Sequence, residues 1–513
     1  MRIEKDKKLR MEHLFRMEHL FNCLQQRSAG ILHHLTCLPS DQGIGCIDGN
    51  AKSFLDFLRV SKIKYWQVCP LSPTGYGDSP YQSLSSFAGN PYLIDLNYFI
   101  TEGFLSKEDM KPLAELPRDH VDFAKLNELF WPIIFSAAEN FLKKNQSEDF
   151  NKFEKSTKWL DPFCRFMALK EYFDKKPWYQ WPDEFSSIRN LKKLPPKVTK
   201  SINLHKAIQY IFHRQFSDLK NYARQNGVKL IGDIPIFPGL DSADLWANRE
   251  IFLFDDKDQP TLVAGVPPDY FSESGQLWGN PLYNWQVLKK INYKWWLDRL
   301  ERNLELYDVI RLDHFRGFYD FWAIPFGSET AKNGSWEPGP GIDFFKAIRK
   351  KFPKLECIAE NLGDLNKGVT TMLEATGFPG MAVLQFAFSD FPKSTYLPHN
   401  QYRNNVMYTG THDNNTLRGW FNSLDEMDKH NLRRYVKSDN NCIVWALINE
   451  AYKSTCNTAI ICTQDILGLD HDARLNTPGT QMNNWAWRMT EEQFVALKKS
   501  SETLKELAEI YDR

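Results

Sequence analysis

The sequence predicts an α/β protein, a (β/α)8 TIM barrel carrying a mainly helical insertion, and three observations point there. Eight short apolar, β-branched runs recur along the chain, at 30–35, 65–71, 228–236, 308–312, 355–359, 381–386, 405–409 and 459–462. None alternates with period two, as expected of parallel strands covered on both faces. Helical stretches separate most of them, and strand–helix alternation repeated eight times is the pattern of this barrel. The third observation is the interval between 71 and 228, far too long for one crossover.

Taken in order, residues 1–27 read as an N-terminal extension. It contains a tandem hexad, RMEHLF at 10–15 and again at 16–21, expected to be helical and without chemistry; two copies are too few for a repeat architecture. Residues 28–104 carry barrel strands one and two, with a helix near 52–59. Residues 105–226 form the insertion, with helical spacing at 123–144, 160–173 and 205–225 and a Lys/Pro-rich break at 190–197; it is expected to close over the barrel mouth. Residues 227–513 hold strands three to eight with their loops, a helix at 342–351 and a final helical stretch at 491–511. No C-terminal β-sandwich is predicted, and no low-complexity linker divides the chain.

Composition narrows the function. The 513 residues include 64 Lys plus Arg against 64 Asp plus Glu. That balance argues against a surface built for nucleic acid. Sixteen Trp, 20 Tyr and 36 Phe suit the flat apolar faces of sugars, but also fill large cores. Nine scattered cysteines lack zinc spacing, so neither a disulfide framework nor a metal site is expected. With a charged N-terminus and no run of about 20 apolar residues, no membrane span is expected, and a cytoplasmic location follows.

The chemistry is carried by carboxylates. Four predicted strands end in an acid: VKLIGD at Asp233, DVIRLD at Asp313, LECIAE at Glu360 and VMYTGTHD at Asp413. In a parallel barrel, strand carboxyl ends converge on one mouth, where such enzymes work. Each acid alone could simply cap the next helix; four aligned this way bring charge to one solvent-poor site. Two carboxyl groups facing across a glycosidic bond are what retaining glycosidases use, one as nucleophile and one as acid/base. Arg311, two residues before Asp313, points the same way along a strand. It could keep Asp313 ionised, form a structural salt bridge, or both.

At these residues the chain resembles the amylomaltase (4-α-glucanotransferase, disproportionating enzyme) family of the α-amylase clan. RLDHFRGF at 311–318, IAENLG at 358–363 and GTHDNNT at 410–416 are similar to three of its catalytic segments. LSPTGYGDSPYQ at 71–82, GDIPIF at 232–237, GVPPDYF at 265–271, GQLWGNPLY at 275–283, NTPGT at 476–480 and NWAWR at 484–488 extend the likeness from about 30 to 488. The resemblance implies Asp313 as nucleophile, Glu360 as acid/base and Asp413 as the carboxylate that grips sugar hydroxyls. It also implies Arg311, His412 and Asp233 around the cleavage subsite, His314 as a further substrate contact, and Ser79, Tyr81, Gln276 and Trp278 as donor or acceptor contacts. Tyr81 and Trp278 are the expected stacking platforms, and Tyr76 a second glucan site. No cofactor is implied; the expected partners are α-1,4-glucans with glucose or maltose acceptors, and a monomer is expected. Leu35 and Cys37 stand where the family leads one to expect Pro and Ser.

Two other readings remain open on sequence. An α-glucan hydrolase of the same clan shares the first half-reaction, though Asp233 is followed by IPIF rather than an Asn-His pair. A non-catalytic glucan-binding protein would be expected to have lost a carboxylate, and none is lost.

Overall fold

The computed structural model describes residues 19–144, 147–268, 272–480 and 482–513. The duplicated hexads lie outside the described residues but for the last three positions. All eight predicted runs contain strands: β1 (Ser28–Leu32), β2 (Tyr65–Gln67), β3 (Lys229–Ile234), β4 (Val309–Leu312), β5 (Cys357–Ala359), β6 (Gly380–Val383), β7 (Asn405–Tyr408) and β8 (Thr458–Cys462). They form one parallel sheet in the order β6-β7-β8-β1-β2-β3-β4-β5. Across the remaining seam, Ala359 N donates to Pro379 O at 2.9 Å and Met381 N to Asn361 Oδ1 at 2.7 Å, so the sheet all but closes. β1, β6 and β8 are buried along their whole length, which is why their sequences are apolar apart from the first Ser or Thr of β1 and β8.

One glycine positions the site. A Cβ on Gly232 would lie 2.1 Å from Tyr307 Cδ2, so only glycine lets that ring pack against β3 one residue before Asp233.

The long interval is helical, as expected: Phe123–Lys144, Glu148–Ser156, Leu160–Tyr172 and Pro196–Gln225. The last helix serves both parts of the molecule. Its C-terminal half grips the barrel, with Lys220 Nζ donating to Tyr307 O at 2.8 Å and Tyr222 Oη to Asp56 Oδ1 at 2.9 Å. The inserted helices are also tied to the segment after β3. Lys170 Nζ meets Asp241 Oδ2 at 2.5 Å, and Trp178 Nε1 donates to Leu240 O at 2.7 Å. That segment leaves the carboxyl end of a strand, so the insertion borders the barrel mouth.

Two features depart from the sequence reading. Strands Gln276–Pro281, Leu262–Val266, Asp320–Pro325 and Ser335–Pro338 form a four-stranded antiparallel sheet in that order. Two come from the connection after β3 and two from that after β4, each two forming a local hairpin; the pairing of Leu262–Val266 with Asp320–Pro325 that joins the hairpins has no local signature. The second is a correction: β7 ends at Tyr408, and Asp413 lies in the following loop rather than at the strand end. The described chain finishes in helices Glu491–Lys499 and Ser501–Ile510. All nine cysteines are free. Among the described residues no helix is long and apolar enough to cross a membrane.

Candidate active site

Strand register brings the candidate pair together. β4 and β5 pair Leu312 with Ala359, so Asp313 and Glu360 are the next residues on neighbouring strands, which run about 4.8 Å apart. Glu360 N donates to Leu312 O at 3.0 Å and continues the ladder. His314 then turns into the left-handed region (φ 48°, ψ 56°), uncommon for a residue with a Cβ. This aims its N–H at Glu360 Oε2, 2.8 Å away. Leu362 N donates to the other oxygen at 3.0 Å. The acid is therefore held to the turn that carries Asp313.

Electrostatics separate the carboxyls. Burial pushes Glu360 up to about 7; Arg311 opposes this and the charge of Asp313 adds to it. A carboxyl poised there can give a proton at neutral pH and take one back. Asp413 goes the other way. Burial would raise it, but His412 and the Asn476 amide hold it down at about 2. His314 is driven down to about 4 by burial, so its imidazole is neutral at pH 7.

A chain of polar contacts runs round the mouth from Asp313 to Asp413. Arg311 Nη1 donates to Asp313 Oδ1 at 2.8 Å and to Asp233 Oδ2 and Oδ1 at 2.6 and 2.8 Å. The Tyr81 hydroxyl donates to Asp233 Oδ2 at 2.7 Å and lies 3.2 Å from His412 Nδ1. A phenol has one proton; with it on Asp233, Nδ1 must carry the hydrogen toward Tyr81. His412 Nε2 faces Asp413 Oδ2 at 3.3 Å, and that carboxylate raises His412 against the pull of burial. The ring thus links the tyrosine to the carboxylate. Asn476 Nδ2 donates to Asp413 Oδ1 at 2.6 Å, and Arg474 Nη2 to its carbonyl at 2.6 Å.

The Arg311–Asp233 pair is almost sealed from water, with side chains 5 % and 1 % exposed. Burial pushes Asp233 up and Arg311 pulls it back. Removing the cation would leave a buried charge alone. Arg311→Ala is expected to cost about 3–5 kcal/mol of stability, read as a lowered urea midpoint. An unchanged midpoint would mean that water reaches Asp233.

The other sequence-predicted residues divide into groups. Trp278 stands edge-on to His314, with ring centres 5.0 Å apart, and its Nε1 donates to Gln276 Oε1 at 3.1 Å. Trp278 thus borders the turn after Asp313, and Gln276 joins it through that bond. Tyr81 stacks on His412 at 4.7 Å, so one face of that expected platform is already occupied. Ser79 Oγ accepts from Tyr81 N at 3.2 Å and joins the group through that residue. The Tyr76 side chain lies outside the described residues, as do Asp269, Tyr270 and Phe271 of the 265–275 loop. Among the described residues no cluster of three His, Cys, Asp or Glu is placed to hold a metal ion.

Sequence reasoning missed three supports. Asn476 lies in the quoted NTPGT motif but had no role assigned, and Arg474, outside every motif, gave no signal. Arg316 is the third. Its Nε donates to Asp320 Oδ1 at 2.7 Å and its Nη1 to Asp364 O at 2.6 Å, tying the turn after Asp313 to the loop after Glu360.

The fold and this mouth define a (β/α)8-barrel enzyme with four carboxylates, Asp233, Asp313, Glu360 and Asp413, gathered at its mouth. Comparison with known proteins narrows the class. The chain belongs to the 4-alpha-glucanotransferase family, whose model matches residues 33–494. It is 41 % identical over 497 residues to the 4-alpha-glucanotransferase of Streptococcus pneumoniae, covering 96 % of this chain and 98 % of that one. Against the 4-alpha-glucanotransferase of Thermus thermophilus it is 41 % identical over 480 residues, covering 90 % and 95 %. Among solved structures it is similar to the amylomaltase from Streptococcus agalactiae in complex with acarbose. The TM-score is 0.91 at 39 % identity, over 95 % of this chain and 100 % of that one.

Proposed function

We propose that this chain is a 4-α-glucanotransferase that moves α-1,4-glucan segments to the 4-hydroxyl of an acceptor glucan, maltose or glucose by a retaining double displacement. The observation that carries this reading is the Asp313–Glu360 pair on adjacent strand ends, with Glu360 at about 7. Asp313, paired with Arg311, attacks the anomeric carbon while Glu360 gives its proton to the departing oxygen. A β-glucosyl ester forms on Asp313 and the leaving glucan departs. Glu360, now a carboxylate, takes the proton from the acceptor hydroxyl, whose oxygen displaces Asp313 and restores the α-linkage. Asp413, ionised and held by His412 and Asn476, grips sugar hydroxyls and strengthens its hold as positive charge develops on the ring. The relative from Streptococcus agalactiae was solved with acarbose, in keeping with a cleft shaped for an α-glucan. The reading requires no cofactor and takes the enzyme as a cytoplasmic monomer.

Proton NMR of the first products from maltotriose tests the stereochemistry: new linkages must be α, and β-products would replace double displacement with inversion.

Transfer, rather than hydrolysis, needs an acceptor held in attacking geometry while loose water is kept away. Trp278, edge-on to His314 beside the pair, is suited to that role. In Trp278→Ala, transfer should fall more than hydrolysis, so free glucose rises relative to elongated products. Equal loss of both would make Trp278 scaffold.

A further inference from the structure

Trp336 stands on the edge strand Ser335–Pro338 of the antiparallel sheet and is 39 % exposed. The Arg316 guanidinium lies over its ring, 3.6 Å from the centre, and Trp322 packs against it edge-on at 5.3 Å. Arg316 is itself fixed by Asp320 and Asp364, and Asn366 Nδ2 donates to the second Asp320 oxygen at 2.8 Å. The indole is thus fixed before any ligand arrives, and ordering it costs nothing further on binding. A purely structural tryptophan at a sheet edge gains most by covering its ring; this one keeps much of it open to solvent.

Its place indicates the ligand. Arg316 is three residues beyond Asp313, and Asp364 is four beyond Glu360, so Trp336 borders the rim made by the two catalytic loops. The acid/base protonates the oxygen of the departing sugar. The leaving chain and the acceptor that replaces it therefore lie on the Glu360 side, where the Asp364 loop runs. We propose that Trp336, held by Arg316, is an outer acceptor-side platform on which a sugar of a long α-1,4-glucan stacks, several units from the cleavage point. The inference rests on the transferase reading for its direction along the chain. Such a platform favours acceptors long enough to reach the rim over short ones such as maltose.

The test separates the two claims. In a Glu360→Gln background, calorimetry compares maltoheptaose with maltose. Trp336→Leu keeps bulk against Arg316 and Trp322 but offers no flat ring. It should lower the ratio of the two affinities about five- to ten-fold, and Trp336→Phe should recover most of that loss. The ratio cancels damage common to both sugars. An unchanged ratio in a folded Trp336→Leu protein overturns the platform, as does an equal fall in Trp336→Phe. Unchanged glucan binding with loss of self-association would assign the face to a second copy of the chain and equally overturn it. Binding needs no turnover, so the outcome stands even if the wild-type chain proves to hydrolyse maltotriose, which would sink the transferase reading alone.

Discussion

Asp313→Asn is expected to lower turnover of maltotriose by at least about 10^4-fold while the protein stays folded. An amide cannot form the glucosyl ester or be expelled from one. The fold should tolerate it, because Asp313 is part-exposed to the cleft and Arg311 keeps its two contacts to Asp233. Steady-state rates alongside a thermal melt check this. Near-wild-type transfer by a folded variant would remove Asp313 from the mechanism.

Glu360→Gln should cost about 10^2- to 10^4-fold in rate, and it carries a second, independent readout. In the native protein Glu360 titrates at about 7, above the ordinary 4.5. Between those values the folded state holds a proton that the unfolded chain has lost. Stability from this group is therefore fully present below about 4.5 and is lost as pH rises through about 7. Glutamine has no such charge to bury. It can accept from only one of the two amides, His314 N and Leu362 N, a cost that does not vary with pH. The melting temperature of Glu360→Gln relative to wild type should thus climb from pH 5 to pH 8, and the wild-type rate should fall above pH 7 as the acid loses its proton. A difference that stays flat with pH would mean that Glu360 titrates as an ordinary carboxylate.

How much of this the sequence disclosed depended on how local each signal was. The barrel strands were legible because burial on both faces leaves largely apolar runs, and two of the proposed catalytic acids stand where such runs stop: Leu312 then Asp313, Ala359 then Glu360. Asp413 was found by its motif but misplaced onto a strand. The apolar run ends at Tyr408, and what holds the acid is Asn476 and Arg474, more than 60 residues on. The joining of two local hairpins into one antiparallel sheet was invisible for the same reason, since Leu262 pairs with Pro325 across two helices and β4. Arg316 looked like one more basic residue in a conspicuous motif. Its reach to Asp364, on the next strand's loop, exists only in the folded chain. Likewise the Nδ1 hydrogen of His412 follows from the single hydrogen of Tyr81, a constraint that needs coordinates.

The central claim is that sugar, not water, resolves an intermediate on Asp313. Incubating the purified protein with maltotriose alone and separating the products by chromatography tests it most directly. The account predicts a ladder of glucans both longer and shorter than the substrate, together with free glucose, with total reducing ends unchanged. Maltose and glucose alone, with reducing ends rising as the reaction proceeds, would contradict it.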